Sequence, residues 1–98
     1  MLVLGIAGSP RRNGNTEILL DEALKGAREA GAETEKIVLS KLTYSPCIAC
    51  DKCAKTGICV LKDDMQEVYD KIVAADAMIF ASPNYFYNVS AWAKAAID

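Results

Sequence analysis

The sequence predicts an α/β fold, a parallel sheet with helices on both faces, and three observations carry that expectation. Strand-like runs at Leu2–Ala7, 33–39 and Ala77–Ala81, the first and third apolar and the second polar at its start, alternate with stretches of helical period, the β-α-β alternation that builds parallel sheets. The first run passes straight into Gly8-Ser9-Pro10-Arg11-Arg12-Asn13-Gly14-Asn15-Thr16, a strand-to-helix turn of small, polar and basic residues. The 98 residues are 52% apolar with a formal charge of −2, which allows one domain at most, with ample material for a core.

Taken in order, Leu2–Ala7 is apolar throughout, as a strand buried on both faces must be. A helix is expected from 15 or 16 to 30, with Ile18, Leu19, Leu20, Ala23, Leu24 and Ala27 at helical spacing and Asp21, Glu22, Lys25, Arg28 and Glu29 on its wet face. Gly31 then supplies a left-handed C-cap. Residues 33–39 read as a second strand whose polar start suits a sheet edge. Residues 40–61 show no period and read as a loop with one short helical turn. A second helix starts near Asp63 and Asp64, with Asp63 and Gln66 as a D-x-x-Q capping box. Its stripe of Met65, Val68, Tyr69, Ile72 and Val73 is expected in the core. Ala77–Ala81 forms the third strand. Residues 90–98 begin a third helix, capped by Asn88 or Ser90, on which Trp92 is a packing or interface residue. Crossovers in such a sheet are right-handed, and ligands bind beyond the carboxyl ends of the strands where strand order reverses.

Two loops leave the sheet at that end. The first, at residues 8–16, combines backbone N–H groups at a helix start with Ser9, Asn13, Asn15 and Thr16 as side-chain donors and Arg11 and Arg12 as cations, the makings of an anion pocket. It lacks G-x-G-x-x-G and lacks G-K-[ST], so neither a dinucleotide nor a P-loop nucleotide is indicated. A hydroxyl- and amide-rich loop suits one terminal phosphate, as in FMN. The plainer reading is a βα turn with an asparagine N-cap. The second loop, Ser82-Pro83-Asn84-Tyr85-Phe86-Tyr87-Asn88, offers aromatic rings and amides. Together they describe a site for a flat aromatic molecule carrying a phosphate.

The four cysteines lie at 47, 50, 53 and 59, in the spacing C-x2-C-x2-C-x5-C. Zinc sites use two separated pairs. Three cysteines at successive x2 intervals instead match the start of a bacterial ferredoxin run, with Cys59 beyond Gly57 as a fourth ligand. Spacing leaves a [4Fe–4S] cluster, structural zinc and redox thiols all open, and the number of thiols favours the cluster. The mild negative charge argues against nucleic-acid or anionic-membrane binding. No run approaches the ~18 apolar residues of a membrane span and no signal peptide is visible, so the expected location is the cytoplasm. With no histidine, acid–base chemistry by that residue is excluded.

As a set, the phosphate loop, the cysteine run through Asp63-Asp64-Met65 and the Ser82-Pro83-Asn84-Tyr85-Phe86 segment resemble the NAD(P)H-dependent FMN reductase superfamily. The four-cysteine motif is similar to that of the iron–sulfur flavoproteins of anaerobic archaea and bacteria. The resemblance implies a flavodoxin-like three-layer α/β/α fold with partial strand order 2-1-3. The chain, 1–98, would be the N-terminal part of an FMN-binding domain with a cysteine loop at about 44–61, strands four and five of the family being absent and strand three left as an exposed edge. Ser9, Arg11, Asn13, Asn15 and Thr16 would hold the phosphate, Pro83, Asn84, Tyr85 and Phe86 would lie along the isoalloxazine, and Cys47, Cys50, Cys53 and Cys59 would ligate a [4Fe–4S] cluster. Such proteins are dimers or dimers of dimers.

The function these features favour is FMN-dependent electron transfer: a donor such as ferredoxin or NAD(P)H, a [4Fe–4S] cluster, FMN, and a small acceptor such as a quinone, O₂ or peroxide. A cluster-free NAD(P)H-dependent FMN or quinone reductase is the first alternative, and a non-enzymatic redox-sensing or metal-binding module the second.

Overall fold

The structure, a computed structural model, describes residues 1–98. Its elements are β1 (Leu2–Ala7), α1 (Asn15–Glu29), β2 (Glu33–Val38), a 3₁₀ turn (Leu39–Lys41), α2 (Cys53–Thr56), α3 (Met65–Ala74), β3 (Ala77–Ala81) and α4 (Ala91–Ile97). The three strands form one sheet in the order β2-β1-β3, with β1 parallel to both neighbours and Ala7 opposite Val38 on one side and Ala81 on the other.

The sheet is central because β1 is apolar on both faces. Its alternate residues feed two separate cores. Val3 and Ala7 pack with Leu20 and Leu24 of α1. Leu4 and Ile6 pack with Ile37, Leu39, Met65 and Val68, and Phe80 and Trp92 close over them. Gly5 lies on the α1 side, where an added Cβ would come within 2.8 Å of Leu24 Cδ1. A side chain there would have to displace the methyl ends of Leu24 and Leu20. α1 therefore covers one face, with α3 and α4 on the other, and the chain switches direction between β1 and β3.

Local signals account for most boundaries. α1 ends in a Schellman motif: Ala32 N–H donates to Ala27 O, Gly31 N–H donates to Arg28 O, and Gly31 holds φ at 96°, a conformation that costs glycine little. The loop at 40–61 contains the single short helix, α2, which Gly57 closes at φ 75°. Ser90 caps α4 by accepting from Ala93 N–H. Strand β3, with β1 as its one partner, is an edge strand.

Three expectations need correction. The D-x-x-Q capping box does not form. Asp63 Oδ1 accepts from Met65 N–H, and Gln66 Nε2 donates to the Leu61 carbonyl instead of answering Asp63. Asp63 and Asp64 also tie down the loop entering the cysteine segment, accepting from Ser45 N–H and Thr43 N–H. Second, the stripe on α3 is core only at its start. Met65 and Val68 are buried, but Tyr69 and Ile72 are part exposed and Val73 is 84% exposed. A three-stranded sheet gives a helix narrow cover, and only the first turns of α3 reach Leu4 and Ile6. Third, Leu39 leaves the strand to enter the 3₁₀ turn, where it is fully buried. Among the α1 stripe residues, Leu20 and Leu24 are buried while Ile18 and Leu19 face outward. No helix is long and apolar enough to cross a membrane.

Candidate functional site

The loops after β1 and β3 meet, because those strands are neighbours. Gly8 N–H donates to Ala81 O at 2.7 Å. Ser90 Oγ donates to Gly8 O, and Ser90 N–H donates to Ser82 Oγ at 2.8 Å. Gly8 leaves little room for a side chain: a Cβ would stand 3.1 Å from Ala93 Cβ and 3.2 Å from Ala81 O, so α4 or the end of β3 would have to give by a few tenths of an ångström.

Between them lies a cavity of about 140 Å³ lined by Ser9, Arg11, Gly14, Asn15, Thr16, Pro83 and Tyr85. Four of the five residues expected at the phosphate and two of the four expected along the ring thus share one space. The start of α1 opens into it. Gly14, not an asparagine, occupies the N-cap position, and no side chain caps the helix. The N–H groups of the first turn are left without protein acceptors, as an anion site requires. Ser9 is buried, with Oγ accepting from Arg11 N–H at 3.2 Å. Its hydroxyl proton remains available to a ligand.

The two arginines part company. Arg11 lines the cavity, whereas Arg12 turns back, its Nη2 3.3 Å from Glu17 Oε1. Asn13 is exposed at the loop tip with φ 57° and does not line the cavity. Asn84 lines an adjoining space of about 370 Å³ with Ser82, Pro83, Tyr87, Asn88 and Val89. Phe86 lines neither and is 96% exposed.

Phe86 and Tyr87 form the tip of a tight turn. Tyr85 and Asn88 exchange both backbone hydrogen bonds, at 2.8 and 3.0 Å, and the central pair holds φ at 49° and 63°. This is the type I′ pattern, which favours asparagine and glycine. Two bulky aromatic residues there are strained, and the turn lifts both rings into solvent, edge to face, with centroids 6.1 Å apart.

The cysteines occupy a separate place. All four line one small cavity of about 70 Å³ with Ile48, Val60 and Leu61. Left-handed residues Ala49 and Asp51, at φ 57° and 61°, curl the chain around it. Ala49 N–H points at Cys47 Sγ, 3.3 Å away. No disulfide joins the thiols. No group of three or more cysteine and carboxylate side chains is placed to hold a metal ion. Tyr69, on α3, has its hydroxyl held above the usual value, first by burial and then by the negative neighbours Cys59, Asp63 and Cys47.

The sequence reading missed two contributors. Glu17 is buried within the first turn of α1, and its only sequence signal was an acid at a helix start. Ser82 was passed over, though it heads the aromatic loop and holds Ser90 in place.

Comparison with known proteins shows the family. The iron–sulfur flavoprotein MJ1083 of Methanocaldococcus jannaschii is 46% identical over 98 residues, all of this chain and 51% of that protein. An iron–sulfur flavoprotein of Methanosarcina thermophila is 43% identical, again over all of this chain and 51% of its own length. The chain thus spans about half the length of these relatives. A solved flavone reductase superposes with a TM-score of 0.77 at 30% identity, covering 98% of this chain and 28% of that one. The family profile described as NADPH-dependent FMN reductase matches residues 1–98, and the chain belongs to that family.

Proposed function

We propose that this chain forms the FMN-holding part of a flavin-dependent oxidoreductase and carries a [4Fe–4S] cluster on its cysteine loop. The observation that supports it most is the single cavity shared by the uncapped start of α1 and the Pro83–Tyr85 corner. The residues fit the cofactor. Arg11 supplies charge, Ser9 and Thr16 supply hydroxyls, Asn15 an amide, and the first turn of α1 free N–H donors for a phosphate. Asn13 stands at the rim of the same loop. Pro83 and Tyr85 give a wall for a ring, while Asn84 faces the adjoining space and Phe86 stands in solvent.

The cysteine loop supplies four thiols in the spacing C-x2-C-x2-C-x5-C, enough for a cluster. A cubane takes one thiolate on each iron, so its ligands surround a space instead of converging on a point. That Cys47, Cys50, Cys53 and Cys59 all line one small, mostly apolar cavity supports this reading. The amide of Ala49 would stabilise the Cys47 thiolate. When bound, such a cluster supplies single electrons and FMN joins them in pairs, so the two suit a donor such as ferredoxin or NAD(P)H and an acceptor such as a quinone, O₂ or peroxide. Assembly as a homodimer or tetramer, in the cytoplasm, belongs to the same reading. The iron–sulfur flavoproteins among the relatives support the cluster.

The test is anaerobic purification of the protein as its gene encodes it, followed by iron, acid-labile sulfide and flavin analysis and titration of the stripped protein with FMN. Tight binding of FMN, weakened in Arg11→Ala, supports the flavin reading, and absence of flavin binding ends it. Protein that binds FMN but takes up no iron on reconstitution, and whose flavin NAD(P)H reduces as fast in Cys→Ser variants, would be a cluster-free reductase.

A further inference from the structure

We infer that Glu17 is a positioning residue for the phosphate of the bound flavin, acting through Arg12; this rests on the FMN reading above. Glu17 is the third residue of α1, directly after the cavity-lining Asn15 and Thr16. Its side chain is only 3% exposed. A carboxylate so buried is unfavourable unless paired. Glu17 Oε1 meets Arg12 Nη2 at 3.3 Å and Lys36 Nζ at 3.6 Å. Lys36 also bonds Asp21 Oδ1 at 2.8 Å. Oε2 is buried with no hydrogen-bond partner at all. Nothing in the two cores needs an acid at this point.

What the arrangement does supply is an anchor for the loop. Residues 10–13 make no backbone–backbone hydrogen bond. Two contacts hold them: Arg11 N–H on Ser9 Oγ, and the Arg12–Glu17 ion pair. The loop tip also carries the left-handed Asn13, a conformation that persists only where surroundings enforce it. Through Arg12, Glu17 ties this tip to the flank of α1 and, through Lys36, to β2. Arg11 is thereby left alone on the cavity side. Glu17 would thus act on the phosphate without touching it. An ion pair kept for fold stability alone would be worth little, since the Arg12 side chain is 44% exposed, and its loss would not distinguish one flavin from another.

That distinction gives the experiment. Stripped wild-type protein, Glu17→Gln, Arg12→Ala and the double variant are titrated with FMN and with riboflavin, which has the same ring and no phosphate. Each single change should weaken FMN about tenfold, the loss of one charge-assisted contact. Riboflavin affinity should stay within about twofold, and the double variant should be no worse than either single one, since both remove the same tether. Equal losses for the two flavins, additive losses, or tighter FMN binding in Glu17→Gln would each overturn the inference. Should Glu17→Gln fail to fold, Arg12→Ala breaks the same tether from the exposed side and decides the matter. Wild-type protein that prefers FMN no more than riboflavin would sink the FMN reading and this inference with it. Wild-type preference that survives in both variants would sink this inference alone.

Discussion

Ser90 Oγ donates a hydrogen bond to the carbonyl of Gly8 across 82 residues of sequence, while accepting from Ala93 N–H at 3.1 Å. One fully buried hydroxyl thus caps α4 and fixes the loop after β3 to the end of β1. The cavity between the two loops exists because this bond and the Gly8–Ala81 bond hold its walls together.

Replacing Ser90 with alanine should therefore affect both stability and the site. It removes an N-cap and leaves the buried Gly8 carbonyl unpaired, a cost of about 1–3 kcal/mol. Urea unfolding should show a lower midpoint with an unchanged slope, and FMN should bind more weakly because the walls can part. Full stability in Ser90→Ala would mean that water replaces the hydroxyl.

The strained turn makes a prediction of opposite sign. Phe86→Asn with Tyr87→Gly puts into the type I′ turn the residues that it prefers, relieving about 1–2 kcal/mol at each left-handed position. The flavin-free variant should melt at a higher temperature than the wild type. FMN affinity should fall if the rings serve the cofactor. A lower melting temperature would show that the exposed rings contribute more to the fold than their strain costs.

On the proposed cluster, each of Cys47→Ser, Cys50→Ser, Cys53→Ser and Cys59→Ser should reduce iron and sulfide to traces, all four residues lining one cavity. FMN content should not change, since no cysteine lines the cavity proposed for the flavin. Iron and flavin analysis of the four proteins checks both halves, and iron retained in one variant removes that residue from the ligand set.

Tyr44 links the 3₁₀ side of the fold to α4: its hydroxyl donates to Trp92 O at 2.7 Å. Burial holds its pKa above the ordinary 10.0. The folded chain therefore keeps this proton at pH values where the unfolded chain has lost it. Its stabilising contribution is complete below pH 10 and declines as pH rises through the folded value. Tyr44→Phe should lower stability by about 1 kcal/mol at neutral pH and flatten the loss on the alkaline side. Chemical denaturation at a series of pH values checks this, and Tyr69, also raised, should leave part of the slope in place.

The sequence was enough to determine the β-α-β order, the parallel sheet, the glycine stop of α1, a polar cap for α4 at Asn88 or Ser90, and the grouping of four thiols in one loop. Those features follow from periodicity and turn chemistry within short segments, which act on neighbours along the chain. Tertiary structure alone decided that Arg11 faces the cavity while Arg12 pairs with Glu17, that Gly14 leaves α1 uncapped, and that Asn13, Asn84 and Phe86 stand off the shared cavity. It also left Val73 in solvent on a stripe whose spacing pointed inward. Periodicity says which residues share a helix face, and only the width of sheet beneath that face says which of them are covered. Likewise Gly8 and Ser90 bear no local mark of their bond. Their meeting depends on β1 and β3 lying side by side, a relation between distant segments that packing creates.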